Sequence, residues 1–375
     1  MRDGADEERG TLEAAVDGVL DTRVLRIGQA NPICRCAGRL GKRYRAGMTK
    51  RPRVTVVGSL NMDISVTVPS LPGPGTTVLG SPARFSPGGK GGNQAVAAAR
   101  LGADVQMVGC VGDDAFGRQL LADLRAEHVG TGHVRVIQGT PTGLAMIAVD
   151  QAGENLITVA PGANHEVTPD DIAQAAPSDV IVISAEIAVP AIRSALAHPP
   201  GILRILNLAP VPPDAAALLA DYADQLDWLV VNQSEAAALL ASSLPTSATS
   251  TAPAAHTAPA AHTAPSAAAR AAAALVTAGA HHAIVTAGAH GAALAGPEGT
   301  DTIEGFRVRA VDTVGAGDTF VGALAVALAA GVPPPDAVRA ATAAGAAAVT
   351  RQGAQTAMPA PPDILAITGL KWPII

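Results

Sequence analysis

The chain has 375 residues and a net charge of −6, with no basic block beyond the first fifty positions, a balance that excludes a nucleic-acid partner. Hydrophobic residues make up 48% of it, yet no apolar run reaches the ~20 residues of a membrane span; a soluble, cytoplasmic protein is expected. Aromatics are only 2%, so the core must be built from Ala, Val, Leu and Ile.

Residues 1–52 begin acidic, turn basic from Arg35 to Arg45, and carry no sustained helix or strand period. They read as a disordered extension, or as sequence upstream of a start at Met48; the basic start and apolar run of a signal peptide are missing. Cys34 and Cys36 lack a second pair at zinc spacing, and Cys110 sits in an apolar run that suits a buried thiol.

From residue 53 short apolar runs alternate with Ala/Leu-rich stretches. Strands are predicted at 54–57, 105–108, 180–183, 202–206, 228–231 and 283–285, and helices at 93–100, 116–127 and 321–330. Continuous apolar strands separated by helices imply a mostly parallel sheet covered on both faces. Two stretches, about 64–86 and 142–160, alternate β-branched with polar residues around Pro and Gly turns. They are predicted to form a small β-sheet lid over the strand ends where α/β active sites lie. Residues 242–269 repeat Thr-Ala-Pro-Ala-Ala-His from Thr251, and Pro at every sixth position blocks a regular helix. This is expected to be a flexible insertion, with His256 and His262 as bystanders rather than metal ligands.

Four short segments carry candidate chemistry. Gly58-Ser59-Leu60-Asn61-Met62-Asp63 follows the first strand, and on extended chain Asn61 and Asp63 face one side, able to grip vicinal hydroxyls or simply to form a turn. Gly88-Gly89-Lys90-Gly91-Gly92-Asn93-Gln94 matches neither the P-loop nor the dinucleotide pattern. Its glycines permit close approach to a polyhydroxylated ligand, with Lys90 and Asn93 as donors, or provide a hinge. Asn232-Gln233-Ser234-Glu235 could hold a hydrated Mg²⁺, although capping of the following helix by Asn232 is the stronger local reading. Asp312-Thr313-Val314-Gly315-Ala316-Gly317-Asp318 brings glycines to a helix start, which suits a phosphate or a developing phosphoryl anion. Asp318 there is either a general base or a helix cap.

In order, these segments resemble the ribokinase-like (phosphofructokinase-B type) carbohydrate kinases over residues 54–359, interrupted by the repeats. The likeness also rests on Val111-Gly112-Asp113-Asp114, Pro161-Gly162-Ala163-Asn164, Thr286-Ala287-Gly288 and Val349-Thr350-Arg351-Gln352-Gly353-Ala354. The resemblance implies a Rossmann-like three-layer α/β/α fold with a β lid that also forms a homodimer contact. It implies ATP with Mg²⁺ as phosphoryl donor and K⁺ as activator. Asp318 becomes the base for a sugar hydroxyl, with Gly315, Ala316 and Gly317 as the anion hole. Asn61, Asp63, Gly89, Lys90, Asn93 and Glu186 are implied to hold the sugar. Asn232, Thr286, Gly288, Gly291, Gly317 and Thr342 are implied to line the ATP site, and Glu235 to serve Mg²⁺ through water. Asp312, Val314, Ala348, Arg351, Gly353 and Ala357 are the implied K⁺ positions, several through backbone carbonyls.

The sequence departs from the family at three places: Ala357 and Thr342 replace more usual polar residues, and Asn207-Leu208-Ala209-Pro210 replaces Asn-Pro-Ala-Pro. Ribose is the favoured substrate, because Glu186, Asn61 and Asp63 offer several partners to a small pentose. Fructose, deoxyribose or an adenosine-like nucleoside are the alternatives, and a non-catalytic sugar sensor is a further one. Phe85 is the only lid aromatic that could carry a base, and Arg84 the only basic residue there for a phosphorylated substrate.

Overall fold

A computed structural model describes residues 51–198, 201–242 and 266–374. The expectations for residues 1–50, Met48 and the two cysteines included, and for the His-bearing repeats lie outside the described residues. The edges of the repeat segment are helical, unlike the expectation for 242–269. Ser242 closes one helix, and Ser266 caps the next by accepting the Ala269 N–H at 3.2 Å. An alanine-rich stretch without Pro is a strong helix former.

In chain order, β1 (Arg53–Val57) is followed by β2 (Asn61–Thr67) and β3 (Arg84–Gly88), then α1 (Lys90–Arg100) and β4 (Asp104–Gly112). Next come α2 (Ala115–Ala126), β5 (Gly130–Ile137), β6 (Gly143–Val149) and β7 (Asn155–Ala160). The middle of the chain alternates α3 (Pro169–Ala173), β8 (Val180–Ser184), α4 (Val189–Leu196), β9 (Leu203–Asn207), α5 (Ala215–Tyr222) and β10 (Trp228–Asn232). The last part holds α6 (Gln233–Ser242), α7 (Ala267–Thr277), β11 (Ala283–Thr286), β12 (Ala292–Gly296) and β13 (Gly299–Ile303). Three helices end the chain: α8 (Ala316–Ala329), α9 (Pro334–Ala348) and α10 (Pro361–Thr368).

The main sheet has nine strands in the order β13-β12-β11-β10-β9-β8-β1-β4-β5. Its pairs are parallel from β5 to β11, and β12 and β13 add an antiparallel edge. Alternate strand residues feed two apolar cores, one on each face. Val180 and Val182 of β8 and Trp228 and Val230 of β10 join α1, α8 and α9. Ile181, Ile183, Leu229 and Val231 join α4, α5, α6 and α7 on the other side. The result is the three-layer α/β/α arrangement expected.

β3, β2, β6 and β7 form a separate four-stranded sheet. Its register pairs Asp63 with Ser86 and Ala145, and Ala145 with Val159, so these residues share one face. Ile64, Phe85 and Met146 share the opposite face. β5, β12 and β13 escaped the sequence reading. Their Gly, Ala and Thr content lacks both the apolar run of a buried strand and a clear alternation.

Candidate active site

The chain enters the main sheet at β1, grows one way through β4 and β5, and returns on the other side at β8. The crevice beyond the carboxyl ends of β1 and β8 is therefore the place where an open α/β sheet receives ligands. Ser59, just past β1, donates its hydroxyl to Glu186, just past β8, at 2.5 Å. The Lys90 N–H reaches the same Glu186 oxygen at 3.3 Å.

Two helices aim their N-termini at this crevice. α1 begins at Lys90, three residues earlier than expected, so Gly91 and Gly92 belong to its first turn rather than to a loop. A β-carbon on Gly91 would stand 2.6 Å from the Gly58 carbonyl carbon, which is why this turn packs directly on the β1–β2 link. α8 begins after Gly315, whose φ of 75° lies in the left-handed region that favours glycine. α1 and α8 lie side by side because Gly322, one turn beyond Asp318, has no side chain. A β-carbon there would stand 2.7 Å from the Gln94 carbonyl oxygen and 2.8 Å from Ala97 Cβ.

That close approach assembles the acid. Asp318 is 8% exposed; Asn93 Nδ2 donates to its Oδ2 at 2.8 Å, and Gln94 Nε2 to its Oδ1 at 3.2 Å. Among the described residues it bonds to no backbone amide, so the helix-cap reading of Asp318 does not describe it. The Gly315 and Gly317 amides have no hydrogen-bond acceptor among the described residues, as first-turn amides do, whereas the Ala316 N–H reaches the Thr313 carbonyl at 3.3 Å. A β-carbon on Gly317 would meet nothing within 4 Å, so open space borders the loop.

Asn61 and Asp63 stand on β2 where it leaves the body for the lid. Asn61 Oδ1 accepts from Asn164 Nδ2 at 2.7 Å, which leaves its amide nitrogen without a protein acceptor among the described residues. Burial, with the nearby Glu186 and Asp318 carboxylates, pushes the Asp63 pKa up to about 7, against the opposing pull of Lys90. Burial works against the Lys90 ammonium, but the Asp318, Glu186, Glu235 and Asp63 carboxylates outweigh it and hold its pKa above the ordinary lysine value. Asn93 Oδ1 is buried without a hydrogen-bond partner, an acceptor awaiting a donor. Gly89 passes too close to the backbone at Asn61 for any side chain.

Farther along the sheet edge, Asn232 and Glu235 form a reciprocal cap. The Asn232 N–H donates to Glu235 Oε2, and the Glu235 N–H to Asn232 Oδ1, each at 2.8 Å. The capping reading therefore holds, and one Glu235 oxygen remains for other work. Burial raises the Glu235 pKa, the Asn232 amide and Lys90 oppose it, and Asp318 adds to the rise. Thr286 ends β11, and Gly288 faces open space. Gly291 is required by packing, since a side chain there would strike the backbone at Ile303 to Gly305. Thr342 Oγ1 donates to the Val338 carbonyl of its own helix at 2.8 Å.

Asp312 ties the loop before α8 to the loop after α9, accepting the Val314 N–H at 3.0 Å and the Gly353 N–H at 2.9 Å. Ala348 and Ala357 are buried, and with methyl side chains only their carbonyls could serve an ion. Arg351 pairs with Asp363 at 2.6 Å. No group of three or more His, Cys, Asp or Glu at metal-binding distance occurs among the described residues. Ser59, Gln94, Asn164 and Asn207 join the site without a role assigned from sequence, although the first three stand in segments that carry the family resemblance and Asn207 heads one that departs from it.

Residues 51–361 match the pfkB family of carbohydrate kinases. A ribokinase of Schizosaccharomyces pombe is 35% identical over 318 residues, 82% of this chain and 94% of that one. The crystal structure of a Thermotoga maritima ribokinase is 31% identical with a TM-score of 0.68, over 84% of this chain and 98% of that one. An Arabidopsis thaliana ribokinase complexed with ribose and ATP is 26% identical with a TM-score of 0.68, over 86% of this chain and all (100%) of that one. With a family match across most of its length and relatives aligned nearly end to end, the chain belongs to the pfkB family of carbohydrate kinases.

Proposed function

We propose that this chain is an ATP-dependent ribokinase, converting D-ribose and ATP to D-ribose 5-phosphate and ADP. The observation that carries the reading is the buried Asp318 carboxylate, held by two amides, beside the unpartnered Gly315 and Gly317 N–H groups at one helix start. In this reading Asp318 accepts the proton of the 5-hydroxyl as its oxygen attacks the γ-phosphorus. The bond from that phosphorus to the β,γ-bridging oxygen breaks, and ADP leaves with the electron pair. The Gly315 and Gly317 amides, with Ala316 between them, face the charge on the transferring phosphoryl, reinforced by the α8 dipole.

Asn61, Asp63, Gly89, Lys90, Asn93 and Glu186 hold the sugar in this reading; Asn93 Oδ1 and the Asn61 amide nitrogen offer one acceptor and one donor. Asn232, Thr286, Gly288, Gly291, Gly317 and Thr342 line the nucleotide side. The remaining Glu235 oxygen suits a water of a hydrated Mg²⁺, which when bound neutralises phosphate charge. The Asp312 carboxylate and carbonyls from Val314, Ala348, Arg351, Gly353 and Ala357 make an all-oxygen donor set suited to K⁺. Phe85 argues against a nucleoside, because it lies on the lid face opposite Asp63 and stacks on Phe116 at 6.0 Å between centroids. The exposed Met146, Leu156, Ile157 and Val159 support a homodimer through the lid sheet. We assign the reaction to the cytoplasm, where ATP is available.

A coupled ADP-release assay over ribose, fructose, 2-deoxyribose and adenosine, with and without K⁺, tests the assignment. Ribose should give the highest kcat/KM and K⁺ should raise turnover. A preference for adenosine, or no turnover with any sugar, would overturn it.

A further inference from the structure

Gln94 is fully buried on α1, one residue past Asn93. Its amide nitrogen lies 2.9 Å from Asn207 Oδ1 and 3.2 Å from Asp318 Oδ1, so its two hydrogens are divided between them. Asn207 closes β9 and donates its own amide to the Val230 carbonyl on the neighbouring β10 at 3.1 Å. A run of side-chain hydrogen bonds thus leads from the backbone of the sheet to the carboxylate at the head of α8.

The chemistry of the partners dictates this order. A carboxylate only accepts, so Gln94 must present its NH₂ to Asp318. The same NH₂ then needs an acceptor on its other side, which sets the Asn207 oxygen towards it and the Asn207 NH₂ towards Val230. Reversing either amide would face two acceptors, or two donors, across a buried contact. Gln94 Oε1 is buried without a hydrogen-bond partner among the described residues, so its NH₂ does the bonding: an apolar side chain of the same volume would relieve Oε1 but leave Asn207 Oδ1 and Asp318 Oδ1 each without this donor. The glutamine cannot touch sugar or nucleotide, since it has no exposed surface. Its neighbour Asn93 keeps a little exposed surface, 5%, and is the one assigned to the sugar in the reading above. Gln94 can reach the reaction only through Asp318.

We infer that Gln94, braced by Asn207, is a positioning residue that fixes the aim of the Asp318 carboxylate at the sugar hydroxyl, an inference resting on the reading of Asp318 as general base. Two donors on two different oxygens fix the plane of the carboxylate, whereas Asn93 alone would let it rotate about Cβ–Cγ. A carboxylate that rotates still binds sugar but accepts the proton from fewer orientations. The loss belongs in turnover and not in binding.

Steady-state kinetics on the full-length enzyme with ribose and ATP test this, comparing wild type, Gln94→Met, Asn207→Leu, the double variant and Asp318→Asn. Gln94→Met should lower kcat about tenfold or more, with both KM values within about twofold. Asn207→Leu should lower kcat less, and the double variant should be no slower than Gln94→Met alone, since Asn207 acts through Gln94. Unchanged kcat, a loss confined to KM, or independent losses that multiply would overturn the inference. Should Gln94→Met fail to fold, Asn207→Asp keeps the size and the acceptor but draws the Gln94 amide towards a second carboxylate. Its kcat should fall at constant KM, and an unaltered kcat would overturn the inference equally. Wild type inactive on every sugar, or Asp318→Asn at full rate, removes the general-base reading and this role with it. An active wild type with an undisturbed Gln94→Met removes only the role of Gln94.

Discussion

Asp63 and Asp318 lie in one crevice and are equally buried, yet the fold treats them differently. Asp318 receives two amide donors, one on each oxygen, which aim the carboxylate. Asp63 receives none among the described residues, and its pKa rises to about 7. The unfolded chain releases this proton near pH 4, the folded chain near 7, so the fold binds the extra proton in between. Stability therefore falls as pH rises across that window, by up to about 4 kcal/mol from this group. Urea unfolding of the ligand-free protein at pH 5.5 and 8.0 should show that fall, and Asp63→Asn should flatten it and gain stability at the higher pH. Equal slopes in both proteins would refute the account. Asp318→Asn should fold normally and lose about 10²-fold or more in turnover, as removal of a general base does. Asn61, Asp63, Lys90, Asn93 and Asp318 were legible from residue type beside a glycine run. Asn207 and Asn164 stood in segments compared with the family but received no role, because their work depends on strands and loops that meet only in the folded chain.

The site is assembled by two helix starts, and its glycines divide into two kinds. At Gly322 the backbone of α1 occupies the space of a side chain, whereas Gly317 has only open space beside it. Gly322→Val should destabilise by about 1–3 kcal/mol through overpacking and lower turnover by moving Asp318 from Asn93. Gly317→Ala should melt no earlier than wild type, since Ala favours helix over Gly, yet lose most of its activity because the methyl group intrudes where phosphate must approach. Thermal melting alongside kinetics separates the two, and a Gly317→Ala enzyme with full activity would place the phosphoryl group elsewhere. From sequence, both glycines look alike. The early start of α1 was hidden for the same reason: Gly91 and Gly92 read as loop by propensity, but contact with the β1–β2 link stabilises them as helix.

For the whole molecule, the alternation of apolar runs with Ala-rich segments was enough to anticipate the layered body, and the two polar-alternating stretches marked the second sheet. The strand order was not legible, since nothing local tells β8 to return beside β1. The second sheet leaves Met146 and Leu156, on the face opposite Asp63, and Ile157, on the Asp63 face, about half exposed, at 49%, 47% and 51%, an apolar burden that pairing with a second copy through the sheet would cover. Light scattering should give twice the chain mass, and Ile157→Asp should shift the protein towards monomer. A wild type that is monomeric at micromolar concentration would remove the proposed role of this sheet.

β2 has its foot in the body at Asn61 and runs outward into the second sheet, with Asp63 only two residues along. A guest held by Asn93 from below and Asp63 from above would draw the two parts together, so the acceptor molecule supplies the latch for its own chamber. In the proposed reaction the chamber would close on sugar and not on water alone. If ribose is held this way, ADP release in sugar-free buffer should be far slower than with ribose present, and equal rates would show that the strand couples nothing.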